Sequence, residues 1–120
     1  MGILIDTDPA LGLPLADIDD ALAIWFCHRA GLGLDGLTTV FGNASGEDTW
    51  AVGVRLGDAV GVPVHRGAEG PGDTDTPAVR ALLEHTGTVL AIGPLTNIAA
   101  LALARPDLAA RITELMWLGG

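Results

Sequence analysis

The sequence contains no lysine, and it has a single cysteine, Cys27. Without lysine, the chain can provide neither the phosphate-binding lysine of a P-loop nor an amine that forms a Schiff base. One cysteine permits no internal disulfide and no cysteine-cluster zinc site, and it is typical of a reducing compartment, so we expect a cytoplasmic protein. No apolar run approaches the ~20 residues that a membrane span needs, and the first residues do not resemble a signal peptide. We therefore expect no membrane partner.

Basic residues are also scarce. The six basic residues are all arginine, they face 15 acidic residues, and the net charge is −9. Such an acidic chain is not expected to bind the phosphate backbone of nucleic acids. Hydrophobic residues make up 49% of the 120 residues. A chain of this length and composition is expected to form one domain, over residues 1–120, with a single core.

Short apolar segments alternate with helical patterns along the chain. We predict strands near residues 2–6, 34–41, 62–65, 88–92 and 115–118, and helices near residues 19–29, 45–60, 76–85, 95–104 and 106–112. Strands that alternate with helices form parallel sheets through right-handed crossovers. The predicted class is therefore α/β, with a doubly wound and mostly parallel sheet. We expect the strand order to reverse beside the turn between Asp6 and Asp8.

Carboxylates and amides cluster where the predicted strands end. The residues placed there are Asp6, Asp8, Asp19, Asp20, Asn43 and Asn97. Ligands bind at this edge of an open α/β sheet. Converging carboxylates repel one another unless a cation neutralises them, and an all-oxygen ligand set favours Ca²⁺ or Mg²⁺ over zinc. A phosphatase or receiver domain with an aspartate nucleophile would need a lysine, which this chain lacks.

These residues also have plainer interpretations. Asp19 and Asp20 could simply cap a helix, while Asp6 and Asp8 lie in a solvated turn. Asn43 follows a glycine and could be an ordinary turn residue. For Asn97 the turn interpretation is favoured, because its Gly-Pro-Leu-Thr-Asn segment could simply begin the next helix. The tryptophans have the spacing of core residues and are predicted to pack inside the protein; they are Trp25, Trp50 and Trp117.

Several motifs carry a resemblance to a known family. They are DTDP at residues 6–9 with DDA at 19–21, TTVFGN at 38–43, IGPLTNIA at 92–99 and MWLGG at 116–120. In this order they resemble the DxDPGxDDA, TTVxGN, GPLTNIA and LMGG motifs of the inosine–uridine-preferring nucleoside hydrolases. The matches extend over essentially the whole chain. Together they are far more specific than any one of them.

The resemblance implies a Rossmann-like fold and a calcium-dependent enzyme. This enzyme would hydrolyse the N-glycosidic bond of ribonucleosides to ribose and free base. Asp8 would bind calcium and act as the base that activates water, Asp20 would be a second calcium ligand, and Asp6 would orient its neighbours within the metal site. Asp19 and Asn43 would bind the ribose.

The sequence also departs from the family pattern. Family members are considerably longer, so we expect this chain to be an N-terminal portion that lacks a general acid and further metal ligands. Nine residues separate Pro9 from Asp19 where the family has a much shorter loop, and the segment 67–88 is shorter than expected. We therefore expect little activity from the chain alone, and association with another copy or with a complementing C-terminal chain. The alternative function is a non-catalytic protein that keeps the fold and binds metal or ribose.

Overall fold

The computed structural model describes residues 2–109 and 112–118. Strands and helices alternate along them, as the sequence predicts. The strands are β1 (Ile3–Thr7), β2 (Leu34–Thr39), β3 (Val64–His65), β4 (Thr88–Ala91) and β5 (Glu114–Trp117), and the helices are α1 (Asp19–Arg29), α2 (Gly46–Val60), α3 (Pro77–Glu84), α4 (Thr96–Ala104) and α5 (Pro106–Ala109). The predicted continuation of α5 falls on residues 110 and 111, which lie outside the described residues together with 119 and 120, and residue 112 is not helical.

All neighbouring strands of the sheet are parallel, and their order is β3-β2-β1-β4-β5. The chain first extends the sheet to one side of β1 with β2 and β3, and then crosses to the other side with β4 and β5. The strand order therefore reverses between β1 and β4, and the loops after these strands diverge to leave a crevice. The predicted doubly wound class and the predicted position of the reversal are both confirmed.

Helices cover both faces of the sheet. On the face of α1 and α2, the buried core consists of Ile5, Ile24, Cys27, Leu37 and Val60. On the face of α3 and α4 it consists of Leu4, Leu82, Val89 and Leu101. Leu4 and Ile5 belong to different clusters because successive side chains of a strand point to opposite faces. Each fully buried Leu or Ile side chain stabilises the fold by about 1.5–3 kcal/mol.

The helix ends follow local sequence signals. Ser45 precedes α2, and its Oγ accepts a hydrogen bond from the Asp48 N–H at 3.1 Å. Thr76 precedes α3, and its Oγ1 accepts from the Val79 N–H at 3.3 Å. Side-chain caps of this kind satisfy N–H groups that have no partner inside the helix. Gly61 ends α2 with a φ of 77°, a conformation that glycine adopts without strain.

The edge strand β5 differs from the rest of the sheet because all four of its residues are exposed. Trp117 is 61% exposed on this strand, and Trp25 is 48% exposed on the outer side of α1, beside His28. The predicted core positions of these two tryptophans are therefore wrong. Trp50 is half-buried, with the Arg66 guanidinium over its ring. No helix within the described residues is long and apolar enough to cross a membrane.

Candidate functional site

The carboxyl ends of the central strands border a cleft of about 320 Å³. Its lining residues are Asp8, Asp17, Asp19, Asp20, Asn43, Ile92 and Leu118. The structure thus brings four of the predicted site residues into one cleft. The fifth, Asp6, is fully buried and does not line it. A larger cavity of about 390 Å³ lies beside α3, but it contains none of these residues.

Asp20 lies in the first turn of α1 and is bonded to the end of β1. Its Oδ2 accepts one hydrogen bond from the Thr7 hydroxyl at 2.6 Å and another from the Asp8 N–H at 3.0 Å. The residue that precedes α1, Ile18, makes no side-chain cap. Asp20 is therefore directed to the strand end, which is not what the simple helix-cap interpretation predicts.

Asp8 lies beside Asp20 in the cleft. Its Oδ2 accepts a hydrogen bond from the backbone N–H of Asn43 at 2.8 Å. Burial raises the pKa of Asp8 to about 7, and a hydrogen bond with the Asp20 carboxyl raises it as well. Gly42 permits the close approach of the Asn43 backbone, since a Cβ at this position would lie 2.5 Å from the Asp8 Oδ2. The carboxyl group of Asp8 therefore holds a proton more tightly than an ordinary aspartate does.

Asp6 belongs to a buried layer beneath the cleft. Its Oδ1 accepts hydrogen bonds from the Thr38 hydroxyl at 2.5 Å and from the Asn97 Nδ2 at 2.9 Å. Burial raises the pKa of Asp6 to about 6, although these two hydrogen bonds act in the opposite direction. Its other oxygen, Oδ2, is buried and has no hydrogen-bond partner among the described residues.

Asn97 lies in the first turn of α4, as the turn interpretation expects, and its side chain also connects this layer to two further segments. The side chain is fully buried. Besides Asp6, its Nδ2 donates to the Thr39 carbonyl at 2.9 Å, and its Oδ1 accepts from the Ala68 N–H at 3.0 Å. Gly67 is required here, because a Cβ at that position would overlap the Thr39 carbonyl and the Asn97 amide. The signal in the sequence was the place of Asn97 in the first turn after β4.

The threonine hydroxyls of the site were also missed. Thr7 and Thr38 are both fully buried, and each donates to a carboxylate that the sequence did identify, Asp20 and Asp6 respectively. Both threonines belong to the motifs quoted above, directly at the ends of central strands. A hydroxyl beside a carboxylate at such a position is the signal that could have revealed them.

The Asn43 side chain is paired with the loop between β1 and α1. Its Oδ1 accepts from the Asp17 N–H at 3.2 Å, and its Nδ2 donates to the Asp17 carbonyl at 3.0 Å. Both polar ends of the amide are therefore engaged by the loop backbone, while the Asp17 side chain joins the lining of the cleft. The ribose-binding role of Asn43 stays a prediction.

Among the described residues, no basic side chain forms an ion pair with a carboxylate of the cleft. The ion pairs between described residues join Arg66 with Glu69, Arg80 with Asp75, Arg105 with Asp107, and His85 with Asp35. The atoms that the side chains lining the cleft offer as metal ligands are carboxylate and amide oxygens, which suit Ca²⁺ or Mg²⁺. Within residues 2–109 and 112–118, no group of three or more His, Cys, Asp and Glu side chains is arranged to hold a metal ion. The carboxylates of Asp8 and Asp20 would therefore provide only part of a coordination shell.

Known proteins share both the sequence pattern and the fold. The family model described as inosine-uridine preferring nucleoside hydrolase matches residues 3–120. The chain is 30% identical over 156 aligned positions to uridine nucleosidase 1 of Arabidopsis thaliana, covering 98% of this chain and 44% of that protein. It is 33% identical over 154 positions to the non-specific ribonucleoside hydrolase RihC of Salmonella agona (strain SL483), covering 98% and 48%.

The structural similarity supports the same fold. The purine-preferring ribonucleoside hydrolase from Gardnerella vaginalis matches with a TM-score of 0.72 at 18% identity, over 98% of this chain and 48% of that one. The chain spans about half the length of the curated relatives it matches. Both alignments have more positions than the 120 residues of this chain, so the relatives carry residues inside the matched region that have no counterpart here.

Proposed function

Because this chain belongs to the inosine-uridine preferring nucleoside hydrolase family, we propose that it supplies the carboxylate side of an active site for ribonucleoside hydrolysis. The reaction cleaves the N-glycosidic bond and yields ribose and free base. The observation that carries the proposal is the cleft at the reversal of strand order, where Asp8, Asp19 and Asp20 lie together. The names of the relatives, which include a uridine nucleosidase and a non-specific ribonucleoside hydrolase, support ribonucleosides as the substrate class.

Calcium is the proposed cofactor, with Asp8 and Asp20 as ligands and Asp6 behind them. Three features support this choice. The lining side chains offer only oxygen atoms as metal ligands, and within the described residues no ion pair neutralises these carboxylates. In addition, the buried Oδ2 of Asp6 has no hydrogen-bond partner among the described residues. When bound, the ion would hold a water molecule and lower its pKa. Since Ca²⁺ takes about 6–8 oxygen ligands, the other ligands come from water, substrate or residues outside this cleft.

Asp8 is the proposed general base. Its carboxylate accepts a proton from the water that attacks C1′ of the ribose, while the C1′–N bond breaks and its electron pair leaves with the base. Positive charge develops on the ribose ring in this step, and the surrounding carboxylates stabilise it. In this proposal Asp19 binds the ribose hydroxyls. Asn43 also binds them, once its amide has released the Asp17 backbone.

The leaving base must also be protonated, and the described residues that line the cleft include no His, Lys or Arg to donate this proton. They comprise acidic residues, one asparagine and two apolar residues. General acid catalysis typically contributes ~10²–10⁴-fold in rate. The proposal therefore places the acid on a complementing polypeptide or on a second copy of the chain, and we expect little turnover from the 120 residues alone.

The proposal is tested by measuring the release of ribose from inosine and uridine with Ca²⁺ present. The samples are the chain alone, the chain mixed with the C-terminal half of the Salmonella relative, and the same mixture carrying Asp8→Asn. We expect turnover only in the wild-type mixture, with a loss of about 10²–10⁴-fold for Asp8→Asn. Asp58→Asn, an exposed carboxylate on α2, is the matched control and should retain activity.

Two results would contradict this assignment. Turnover of ~1–10³ s⁻¹ by the chain alone would show that no complementing group is needed. Calcium or ribose binding without turnover in any mixture would support the second candidate, a non-catalytic binding protein. The pairing of Asn43 with Asp17 favours the calcium-binding form of that candidate, because the amide expected to bind ribose is already engaged.

The proposed cellular setting follows from composition. A single free cysteine, buried in the core, fits the reducing environment of the cytoplasm. The expected partners are the small nucleoside substrate and either another copy of the chain or a complementing chain. The net charge of −9 gives no support to nucleic acid as a partner.

A further inference from the structure

The hydroxyl group of Thr7 has no role in the chemistry proposed above, yet it makes a short bond to one of the carboxylates. Thr7 is fully buried at the end of β1, and its Oγ1 donates to the Asp20 Oδ2 at 2.6 Å. The same Oδ2 also accepts from the Asp8 N–H at 3.0 Å. Two donors, from the last residue of β1 and from the residue that follows it, therefore hold one oxygen of Asp20.

This contact is strong and its direction is well defined. A hydroxyl-to-carboxylate bond of this length is a charge-assisted hydrogen bond, which is roughly twice as strong as a neutral one. The χ1 angle of a β-branched residue is restricted, so the strand largely determines where the Thr7 hydroxyl points. This hydrogen bond therefore fixes the first turn of α1 relative to the end of β1.

The length of the loop makes this bond important. Nine residues separate Pro9 from Asp19, and a connection of that length does not by itself determine where the helix begins. The covalent path from β1 to Asp20 is thus long, whereas the hydrogen-bonded path through Thr7 is a single contact. Together with the direct bond from the Asp8 N–H, this contact determines where the Asp20 carboxyl lies relative to Asp8.

We infer that Thr7 is a positioning residue, whose hydroxyl holds the Asp20 carboxyl beside Asp8. The consequence for cation binding rests on the proposed function, whereas the positioning itself rests on the hydrogen bonds of Asp20. Thr7→Val tests the inference, because it keeps the size and branching of the side chain and removes the hydroxyl. Thr7→Ser keeps the hydroxyl and is the conservative variant. Thr49→Val is the matched control: Thr49 is equally buried, but its hydroxyl donates to the Gly46 carbonyl in α2.

The first measurement needs no metal. Hydrogen–deuterium exchange of the Asp8 amide reports the position of Asp20, because this N–H donates to the Asp20 Oδ2. The amides of Val40 and Ile92 serve as references, since they donate to the carbonyls of Thr7 and Asp6 at the same sheet edge. In Thr7→Val we expect about tenfold faster exchange at Asp8 and unchanged exchange at both references. Thr7→Ser and Thr49→Val should exchange like the wild type at Asp8.

Two outcomes of this measurement would overturn the inference. One is unchanged exchange of the Asp8 amide in Thr7→Val. The other is equal acceleration at Asp8, Val40 and Ile92, which would mean that the hydroxyl only stabilises the sheet edge as a whole.

Calorimetric titration with Ca²⁺ alone tests the consequence for the cation. We expect the Kd of Thr7→Val to be about 10–100-fold higher than that of the wild type, as is typical when a partner of a metal ligand is removed. Thr7→Ser and Thr49→Val should bind like the wild type. Equal affinities of the wild type and Thr7→Val would overturn the role of Thr7 in cation binding. If the wild type binds no calcium while the Asp8 amide responds as expected, the cation proposal fails and the positioning of Asp20 stands.

Discussion

Strands β1 and β5 run parallel in the same sheet and end at the same edge, yet their surroundings are opposite. Four of the five β1 residues are buried, and the polar groups at its end are bonded to β2, α1 and α4. All four β5 residues are exposed. Leu118, which follows β5, lines the cleft and is 74% exposed. The cleft therefore has one wall of bonded polar groups and another of exposed apolar side chains.

The difference shows which side chains of the proposed site are held in place by other described residues. The positions of Asp6, Asp8 and Asp20 are determined by contacts between described residues. The β5 edge, residues 114–118, is held by its backbone pairing with β4, whereas its side chains are exposed. Parallel strands are normally covered on both faces. Substitutions at the end of β1 should therefore affect stability strongly, and substitutions at the β5 edge should affect it little.

The largest effect is expected from Asn97→Leu. The change removes three hydrogen bonds and leaves the Thr39 carbonyl and the Ala68 N–H buried without their partner. We expect the free energy of unfolding to fall by about 4 kcal/mol in a urea titration. Asn43→Leu is the control, since its side-chain bonds to Asp17 are exposed and should be worth less than about 1 kcal/mol. Equal losses of unfolding free energy in the two variants would show that the buried hydrogen bonds of Asn97 stabilise the fold no more than the exposed bonds of Asn43.

The second effect is a loss of stability as the pH rises. Burial is the main cause that raises the pKa of Asp6 to about 6 and that of Asp8 to about 7, from an ordinary value of 3.8. Both groups bind protons more tightly in the folded chain than in the unfolded chain. Their stabilising contribution is therefore complete below about pH 4 and is lost as the pH rises through 6 and 7. For Asp6 alone this loss is about 3 kcal/mol.

Urea titrations of the metal-free chain between about pH 4 and 8 measure this dependence. Asp6→Asn and Asp8→Asn should each remove part of the slope, and Ca²⁺ should oppose the loss at high pH by binding the folded state. Met116→Gln, on the exposed β5 strand, should leave the slope unchanged. A stability that stays constant or increases over this range would contradict the raised pKa values.

Local patterns in the sequence were sufficient to predict most of the fold. The alternation of apolar strands with helices determines a parallel sheet, because both faces of such a sheet must be covered. Ser45 and Thr76, which cap α2 and α3, are residue types that favour this position. The cleft residues Asp8, Asp19, Asp20 and Asn43 followed from their places at strand ends, where an open α/β sheet gathers them.

Contacts between distant segments could not be predicted in this way. The bond from Ala68 to Asn97 joins residues 29 apart in the chain, and the bonds between Asp17 and Asn43 span 26 residues. No local pattern encodes such distances. The errors at Trp25 and Trp117 have a different cause: periodicity shows which residues share a face, but not whether another element covers that face.

The smallest change in stability is expected at the β5 edge. In the double variant Met116→Lys/Leu118→Lys, the replaced side chains are 46% and 74% exposed in the wild type. We therefore expect the free energy of unfolding to change by less than about 0.5 kcal/mol. Association should change instead, because an exposed apolar edge strand promotes pairing with another chain. In sedimentation velocity over a range of concentrations, the wild type should associate and the double variant should remain monomeric.

Leu103→Lys is the matched control for this last prediction. Leu103 is 85% exposed, but it lies on α4, beside Pro71 and Thr74. If association depends on the β5 edge, Leu103→Lys should associate like the wild type. Equal weakening in both variants would mean that association follows total apolar exposure and has no defined interface. A stability loss above about 2 kcal/mol in the double variant, larger at high protein concentration, would show that a second copy already covers β5 in solution. The difference in burial between β1 and β5 would then exist only in the single chain, and β5 would be covered in the assembly.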